Sequence, residues 1–513
     1  MILNFISANG STDEEGEFSP ENLRSWLSSL SAADVTGTAR ALIDRLVEVN
    51  KADLQSRLRL RLLDMFRDHI DWLLPQLESR IARAQPPLAG NLRQVAYFIE
   101  KLLKELALGY SRVVLRVPRA WLSLGFKSQL HVPLTRAMDF HARRLQLSQR
   151  LYARNPGGVW SELHQLYQVA RDWGFADREI ESPQTSPLRV YRDALLLAFA
   201  QPTKLMHGDF LRVQAYLAAN ADLTELAAGK VEDPLCVFAV DPRRDRPGIA
   251  YAKRADAGYD NGAILLFTHR LVERLQGQLR KLHDGVPPAA LGLPEESARI
   301  AYQELMQRLI THWRGERKNR ATRMRFHPRV ELWVGLREIW RVLRAESPQD
   351  TPAADITQRE APGRASEWII ANESSRGFAL KYMSGALPPI NVGEIVAIKG
   401  KDRGSVYVCL VRWILSNTPE HFELGLQQLA PVVVPAVYKP AQPERVAPEP
   451  ILFFPEMPAQ KRAPAVVAPP NRLRSNEAFS LRHRRGRLDL RASRVIEKTP
   501  SIELIEVFAS QTA

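Results

Sequence analysis

The chain contains 513 residues, of which 45% are hydrophobic and 25% charged, a composition typical of globular proteins with several domains. Its net charge of +14 favours polyanionic or phosphorylated partners or an anionic membrane surface, but a merely solvated basic surface fits equally well. No apolar run approaches the length of a membrane-spanning helix, and the first residues lack the pattern of a signal peptide. The sequence therefore predicts a cytoplasmic protein without a transmembrane segment.

The N-terminal part of the chain has a helical pattern. The sequence predicts a disordered N-terminus over residues 1–18 and a helical array over residues 19–232, in which Ser19 and Pro20 begin the first helix. Apolar residues recur at three- and four-residue spacing between short breaks rich in Pro, Gly and Asn. Residues 160–176 resemble a helix of a tetratricopeptide-type repeat. Because the array has no clean repeat period, we expect it to be irregular.

The pattern changes over residues 233–313. The runs LCVFAV and AILLFT are short, apolar and flanked by turn-forming residues, so they are predicted to be buried strands. Helical periodicity then returns, and Pro294 followed by Glu295 and Glu296 indicates the start of a helix. This region is expected to be a mixed strand and helix continuation of the N-terminal part.

Residues 314–432 begin with a basic segment and continue as short strands. Seven of the first sixteen residues are Arg or Lys. A β-type run, one inserted helix with the sequence LREIWRVLRA, and a polar loop follow. Five further runs then alternate at period two, with Gly, Pro and Asn at their joints, which predicts a small antiparallel barrel.

The C-terminal part is predicted to hold a linker and a second β module. Residues 433–449 are rich in Pro, Val and Ala, which indicates a linker. Residues 450–513 alternate or run apolar in several short segments and favour a small β module, with a basic, partly disordered tail as the alternative. The predicted fold class is thus multidomain α+β, with an irregular helical array, an antiparallel β-barrel and a small C-terminal β module.

No motif in the sequence indicates catalysis. The phosphate-loop, dinucleotide-binding, zinc-protease, paired-cysteine and serine-hydrolase patterns are all missing. His269 and His283 fit ordinary positions on helices better than metal ligation. Cys236 and Cys409 lie in apolar runs, which predicts buried thiols in a reducing compartment. We therefore expect no enzyme activity, no metal and no cofactor.

Two arginines stand four residues apart at the start of a predicted strand, in the sequence RFHPR. Pro328 disfavours helical geometry in the residue before it, so Arg325 and Arg329 are expected in extended chain. The planar fork of an arginine pairs bidentately with a phosphate or with the O6 and N7 atoms of guanine, and its flat face stacks on a base. This pair is therefore a candidate nucleotide-binding feature.

The sequence NESSRG lies between two predicted strands and is longer than a hairpin turn needs. Asn372 and Ser374 can hydrogen-bond to nearby backbone, and Gly377 permits a positive φ. A corner of this kind points backbone amides outward and predicts an anion-binding nest. Either feature alone is common, but their order on one small barrel is more specific.

RxxxR before a first strand, followed by [D/N]xSxxG between later strands, resembles the two motifs of PilZ domains, which are bacterial receptors for cyclic di-GMP. The similarity covers residues 320–432, and FELGLQQL resembles the closing strand of such a barrel. The long helical region resembles a wider group of PilZ-containing proteobacterial proteins. Two features depart from the usual pattern, since the motifs are unusually far apart and Asn372 stands where Asp is commoner.

The resemblance implies a ligand and a set of binding residues. The corner would hold a guanine edge while the arginines close over the phosphates. The implied ligand residues are Arg325, Arg329, Asn372, Ser374 and Gly377, with Arg323 and Arg376 as additional phosphate or guanine contacts.

These expectations combine into a non-enzymatic cyclic di-GMP receptor whose basic arm, residues 314–329, couples a PilZ-like barrel to a helical output domain. A protein partner would bind the helical region, and by resemblance the output is surface attachment, pili or flagellar motility. One alternative is a PilZ-like adaptor without ligand binding. The other is a nucleic-acid-binding protein, although the aromatic signature of common RNA-binding modules is missing.

Overall fold

A computed structural model of the chain describes residues 18–116, 127–181, 184–229, 231–255, 258, 263–316, 328–346, 362–374, 377–400, 404–440, 449–458, 462–483 and 486–510. These ranges form a helical array, a small sheet with two more helices, and two β-barrels. The predicted multidomain α+β class is therefore confirmed, whereas nearly all of the predicted disordered N-terminus lies outside the described residues. No described helix is long and apolar enough to cross a membrane.

Helices α1 to α8 of the described chain surround one large apolar core. The first begins as predicted, because the Ser19 hydroxyl accepts a hydrogen bond from the Asn22 backbone N–H at 3.2 Å and Pro20 takes the first helical position. Tyr110 and Trp160 are almost completely buried in the core. The helices are α1 Pro20–Ser29, α2 Val35–Lys51, α3 Ser56–Ile81, α4 Gly90–Leu115, α5 Lys127–Arg150, α6 Val159–Asp172, α7 Pro187–Phe199 and α8 Asp209–Asn220.

An antiparallel sheet with the strand order β1-β4-β2-β3 packs on this array. The two predicted buried strands are β2 and β4, and every residue of β2 is buried. The predicted helix start at Pro294 is wrong: Glu295–Ala298 form a single 3₁₀ turn, and the extended backbone of Arg299 separates it from the helix. The elements are β1 Glu225–Ala227, β2 Val237–Val240, β3 Ile249–Ala250, β4 Ile264–Phe267, α9 His269–His283 and α10 Ile300–Trp313.

The first barrel closes six antiparallel strands in the order β5-β6-β7-β10-β9-β8. Its interior is apolar, with Trp368, Leu380 and Phe422 fully buried. The predicted inserted helix is present as α11, which spans Leu336–Glu346. The strands are β5 Arg329–Val334, β6 Ser366–Ser374, β7 Gly377–Ser384, β8 Ile395–Gly400, β9 Val406–Ser416 and β10 Phe422–Ala430.

The second barrel closes six strands in the order β11-β12-β13-β16-β15-β14, so it has the same strand order as the first. The predicted linker over residues 433–449 is wrong at its start, because Val434–Pro440 form a strand of this barrel. Pro435 is tolerated there because it lies where β11 pairs with β12 alone. The strands are β11 Val434–Pro440, β12 Glu449–Phe454, β13 Ala465–Ala468, β14 Ala478–His483, β15 Gly486–Lys498 and β16 Glu503–Ala509.

The outer faces of the two barrels meet in an apolar core, which we call the seam. Trp340 from α11 is buried in it, and its indole N–H donates a hydrogen bond to the Ala436 carbonyl oxygen at 2.9 Å. The hydroxyl of Ser501 donates to the Gly393 carbonyl oxygen at 2.8 Å. The seam includes Ile395, Ala397, Val408 and Leu410 of the first barrel and Leu452, Phe454, Ala465 and Leu504 of the second.

The helical array contacts the first barrel at one end of its strands. Tyr152 and Met206 belong to the apolar core of the barrel. The backbone N–H of Ser416, the last residue of β9, donates to the Tyr152 carbonyl oxygen at 2.8 Å, and the N–H of Arg154 donates to Oδ1 of Asn417 at 2.8 Å. The β6–β7 hairpin that carries the NESSRG sequence lies at the other end of the barrel, since Gly377 pairs with Gln427, five residues beyond the start of β10.

Candidate functional site

The second arginine of the RFHPR sequence begins the first strand of the barrel, as predicted. Arg329 is the first residue of β5 and pairs with Ile369 in β6. Its neighbour Val330 points into the barrel core, so the exposed side chain of Arg329 lies on the outer face. Arg323 and Arg325 lie outside the described residues.

The corner between β6 and β7 is tighter than the sequence suggested. The ladder continues through Asn372 and Glu373 and ends with Ser374 paired to Gly377, so only two residues separate the paired ends of β6 and β7. The hydroxyl of Ser374 donates to the Gly377 carbonyl oxygen at 3.2 Å. The expected six-residue corner is thus a short hairpin, and Arg376 lies outside the described residues.

Gly377 is required for a reason other than the predicted one. It does not have a positive φ. Instead, a Cβ built on it would collide with the carbonyl oxygen of Leu426 in β10. Glycine therefore allows β7 and β10 to approach closely beside the hairpin.

The strand register brings Arg329, Asn372 and Ser374 to one outer face. A register shift in β6 after Ile370 pairs Asn372 with Ala379, whose two neighbours in β7 both point into the core. In β6, Asn372 is three residues beyond Ile369, the partner of Arg329, which is a distance of about 10 Å along the strand at the usual rise. Its side chain makes no hydrogen bond to any described residue, so its donors and acceptor are available to a ligand.

Three residues of this face were missed by the sequence analysis. Gln427 pairs with Gly377 and is exposed, and Arg412 donates from Nε to its Oε1 at 2.7 Å. The indole of Trp413 lies over Gly425, where a Cβ would collide with it. The alternation in FELGLQQL marks Gln427 as outward-facing, but only the register shows that it lies beside the hairpin.

The polar groups on this face can bind a ligand through hydrogen bonds. Guanidinium, amide and hydroxyl groups supply donors for phosphate oxygens and guanine acceptors. Cys409 lies behind the face in the barrel interior, where burial raises the pKa of its thiol and keeps it protonated. Among the residues that the structure describes, no group of His, Cys, Asp and Glu is arranged to hold a metal ion.

Comparison with known proteins agrees with this architecture. The family model described as the N-terminal domain of the cyclic-di-GMP receptor FimW matches residues 21–230, and the model of its middle PilZ domain matches residues 341–435. The second match contains the β6–β7 hairpin but begins after Arg329. A relative, the cyclic-di-GMP receptor FimW of Pseudomonas aeruginosa, is 24% identical over 81% of this chain and 78% of its own length. Because the helical array and the first barrel both match this receptor, the chain belongs to the family of PilZ-domain cyclic-di-GMP receptors.

Proposed function

We propose that the chain is a non-enzymatic, cytoplasmic receptor that binds cyclic di-GMP on the outer face of the first barrel. The observation that carries this proposal is the placement of Arg329, Asn372 and Ser374 on one face beside the hairpin. Family membership supports the choice of ligand, because the relative is named as a cyclic-di-GMP receptor.

The two motifs would divide the recognition of the ligand between them. The amide of Asn372 offers both a donor and an acceptor to the edge of a guanine, and the nearby hydroxyl of Ser374 adds a polar group. Arg329, with Arg325 before it in the chain, would pair with the phosphates or stack on a base. Gly377 would let β10 lie close beside the hairpin, since a side chain there would collide with the Leu426 carbonyl oxygen.

Ligand binding would couple the first barrel to the helical array. The basic arm, residues 314–329, joins the end of α10 to the start of β5 and carries both motif arginines. Two bound phosphates would offset repulsion among its seven basic side chains and hold the arm against the barrel. The helical array would pass this change to a protein partner, with surface attachment, pili or flagellar motility as the output.

The existing contact between array and barrel limits the size of the expected movement. Tyr152 and Met206 are packed in the barrel core at the end remote from the hairpin. Free rotation between the two parts would break this contact. We therefore expect ligand to shift the equilibrium between closely related arrangements, and only as far as its affinity for them differs.

Isothermal titration calorimetry of the purified chain with cyclic di-GMP, GTP and single-stranded RNA tests the proposed function. We expect saturable binding of cyclic di-GMP and much weaker binding of the other two. Nucleic-acid binding weakens by about one log unit per log unit of salt for each phosphate contacted, whereas a ligand with two phosphates gives a shallow dependence. Equal binding of RNA with a steep salt slope would favour the nucleic-acid alternative, and no binding of any ligand would favour the adaptor.

A further inference from the structure

Gln427 stands at the edge of the candidate site. It pairs with Gly377 of the hairpin on one side and with Leu410 of β9 on the other, and its side chain is exposed on the outer face. Its Oε1 is held by Arg412, while its amide N–H₂ makes no hydrogen bond to any described residue. The donor end of the amide is therefore available directly beside the hairpin.

The partner of Gln427 fixes the direction of its amide. A guanidinium has donors only, so the amide atom that faces Arg412 at 2.7 Å must be the oxygen. The N–H₂ group must then point away from Arg412. Asparagine and glutamine usually bind adenine by using both ends of the amide, but here the acceptor end is already occupied.

The second barrel holds this arrangement in place. Glu497 of β15 forms a bidentate ion pair with Arg412, in which Nη2 lies 2.8 Å from Oε2 and Nη1 contacts Oε1. Both side chains are mostly buried, since only 34% of the Arg412 side chain and 20% of the Glu497 side chain is exposed. A bidentate carboxylate pair restricts the guanidinium to one plane, and so directs its Nε–H at Gln427.

We propose that Gln427 is a specificity-determining residue for guanine, positioned by Glu497 of the second barrel through Arg412. Guanine presents two acceptors, O6 and N7, on the edge where adenine presents one acceptor and an amino donor. A glutamine restricted to donating therefore fits guanine and rejects the amino group of adenine. This inference rests on the proposed function, since it places a guanine base beside Gly377.

The test compares the affinities of the full chain and its variants for cyclic di-GMP and cyclic di-AMP. Gln427→Ala should weaken cyclic di-GMP binding roughly five- to tenfold, as expected for one hydrogen bond, and should leave cyclic di-AMP binding unchanged or stronger, since the donor that faces the adenine amino group is removed. Gln428→Ala is the matched control, because its side chain donates to the nearby Ala430 carbonyl oxygen. An equal loss for both ligands would overturn the assignment to guanine.

The positioning role is tested by a double-mutant cycle. Glu497→Gln keeps the shape of the side chain but removes the charge, and it should weaken cyclic di-GMP binding less than Gln427→Ala does. In the double variant the two losses should not add, since both act through the same amide. Glu506→Gln is the control, because Glu506 pairs with Arg494 within the second barrel. Additive losses would overturn the positioning role.

The outcomes separate this inference from the proposed function. Failure of the wild-type chain to bind cyclic di-GMP would overturn both. Wild-type binding with unchanged affinity in Gln427→Ala would overturn the inference alone. Thermal unfolding of each variant checks that a loss of affinity does not reflect a loss of structure, and Gln427→Ala is expected to leave the Tm unchanged because the side chain is exposed.

Discussion

The two barrels have the same strand order, but the outer face at the end of their second strand differs between them. In the first barrel, the last residue pair between β6 and β7 is Ser374 with Gly377, and it lies beside the open outer face. In the second barrel the corresponding last pair is Phe454 and Ala465, and both residues are buried in the seam. The position that belongs to the proposed ligand site in one barrel is a packing surface in the other.

This difference indicates what decides whether such a barrel can bind a ligand. The closed strand order supplies the frame in both cases, so the fold alone does not supply the site. Small and polar residues at the hairpin leave the face open, whereas large apolar residues require a cover. Strands β8 and β9 of the first barrel cover the apolar face of the second barrel. We therefore expect one candidate ligand face in each chain.

The largest expected effect concerns the seam. Trp340→Ala should destabilise the chain by about 3–5 kcal/mol, because it empties a buried site between the barrels and leaves the Ala436 carbonyl without its donor. Trp333→Ala is the control, since that indole also donates one hydrogen bond, to the Gly363 carbonyl oxygen at 3.1 Å, but is only partly buried on the outer face of β5. Denaturant unfolding measures both changes. A cost below about 1 kcal/mol for Trp340→Ala would mean that the barrels are independent.

The sequence predicted the first barrel better than its hairpin. Alternation and turn residues marked its strands, because inward and outward positions differ in polarity. The length of the corner depended on how far Asn372 and Ser374 continue the ladder, and the role of Gly377 depended on the approach of β10. Both are consequences of strand register, which residues distant in the chain determine.

The second barrel was predicted less completely for a related reason. Two prolines in VVPAVYKP suggested a linker, yet Pro435 and Pro440 occupy positions where β11 can lack an amide donor. Its short apolar strands indicated a β module, but closure and the match to the strand order of the first barrel are properties of the fold. The role inferred for Glu497 depends on the contact between barrels and leaves no local mark in the sequence.

The second prediction tests whether ligand binding is confined to the first barrel. Arg325→Ala and Arg329→Ala should each weaken cyclic di-GMP binding by about 1.5–3 kcal/mol, the range for charge-assisted hydrogen bonds. Arg494→Ala in the second barrel is the control, because it removes an exposed arginine of the same charge. Calorimetry measures all three. Wild-type affinity in the Arg325/Arg329 double variant would show that the site is elsewhere.

A third prediction compares Gly377 in the β6–β7 hairpin of the first barrel with Gly486 at the start of β15 in the second barrel, where it pairs with His483 of β14. Gly377→Ala forces β7 away from Leu426 and should cost about 1–3 kcal/mol of stability as well as ligand affinity. Gly486 has a φ of +124° and open space around it, so Gly486→Ala should cost about 1 kcal/mol through backbone strain alone. Unfolding and calorimetry separate the two effects. A loss of ligand affinity in Gly486→Ala would contradict the division between the barrels.

A smaller effect is expected from a carboxyl at the seam. Burial raises the pKa of Glu394, and polar contacts with the Ser501 side chain of the second barrel and the Ile395 backbone partly oppose that shift. The contribution of Glu394 to stability is therefore present below its usual pKa and is lost as pH rises through the raised one. Glu394→Gln should flatten this part of the curve of stability against pH. An unchanged curve would mean that another group titrates there.

The smallest expected effect is a change in hydrogen exchange, and it tests how far the ligand signal travels. Cyclic di-GMP should slow exchange in residues 314–330 and 372–377, because phosphate binding holds the basic arm against the barrel. A weaker effect is expected at the end of α10, which is continuous with the arm, and around Glu497, which contacts Gln427 through Arg412.

The rest of the second barrel should exchange at its original rate, since its corresponding face is already buried in the seam. The Arg329→Ala variant, at a ligand concentration that leaves most of its sites unbound, should show none of these changes. Protection limited to residues 372–377 would mean that the arm transmits nothing, and slower exchange across the whole second barrel would mean that both barrels respond as one body.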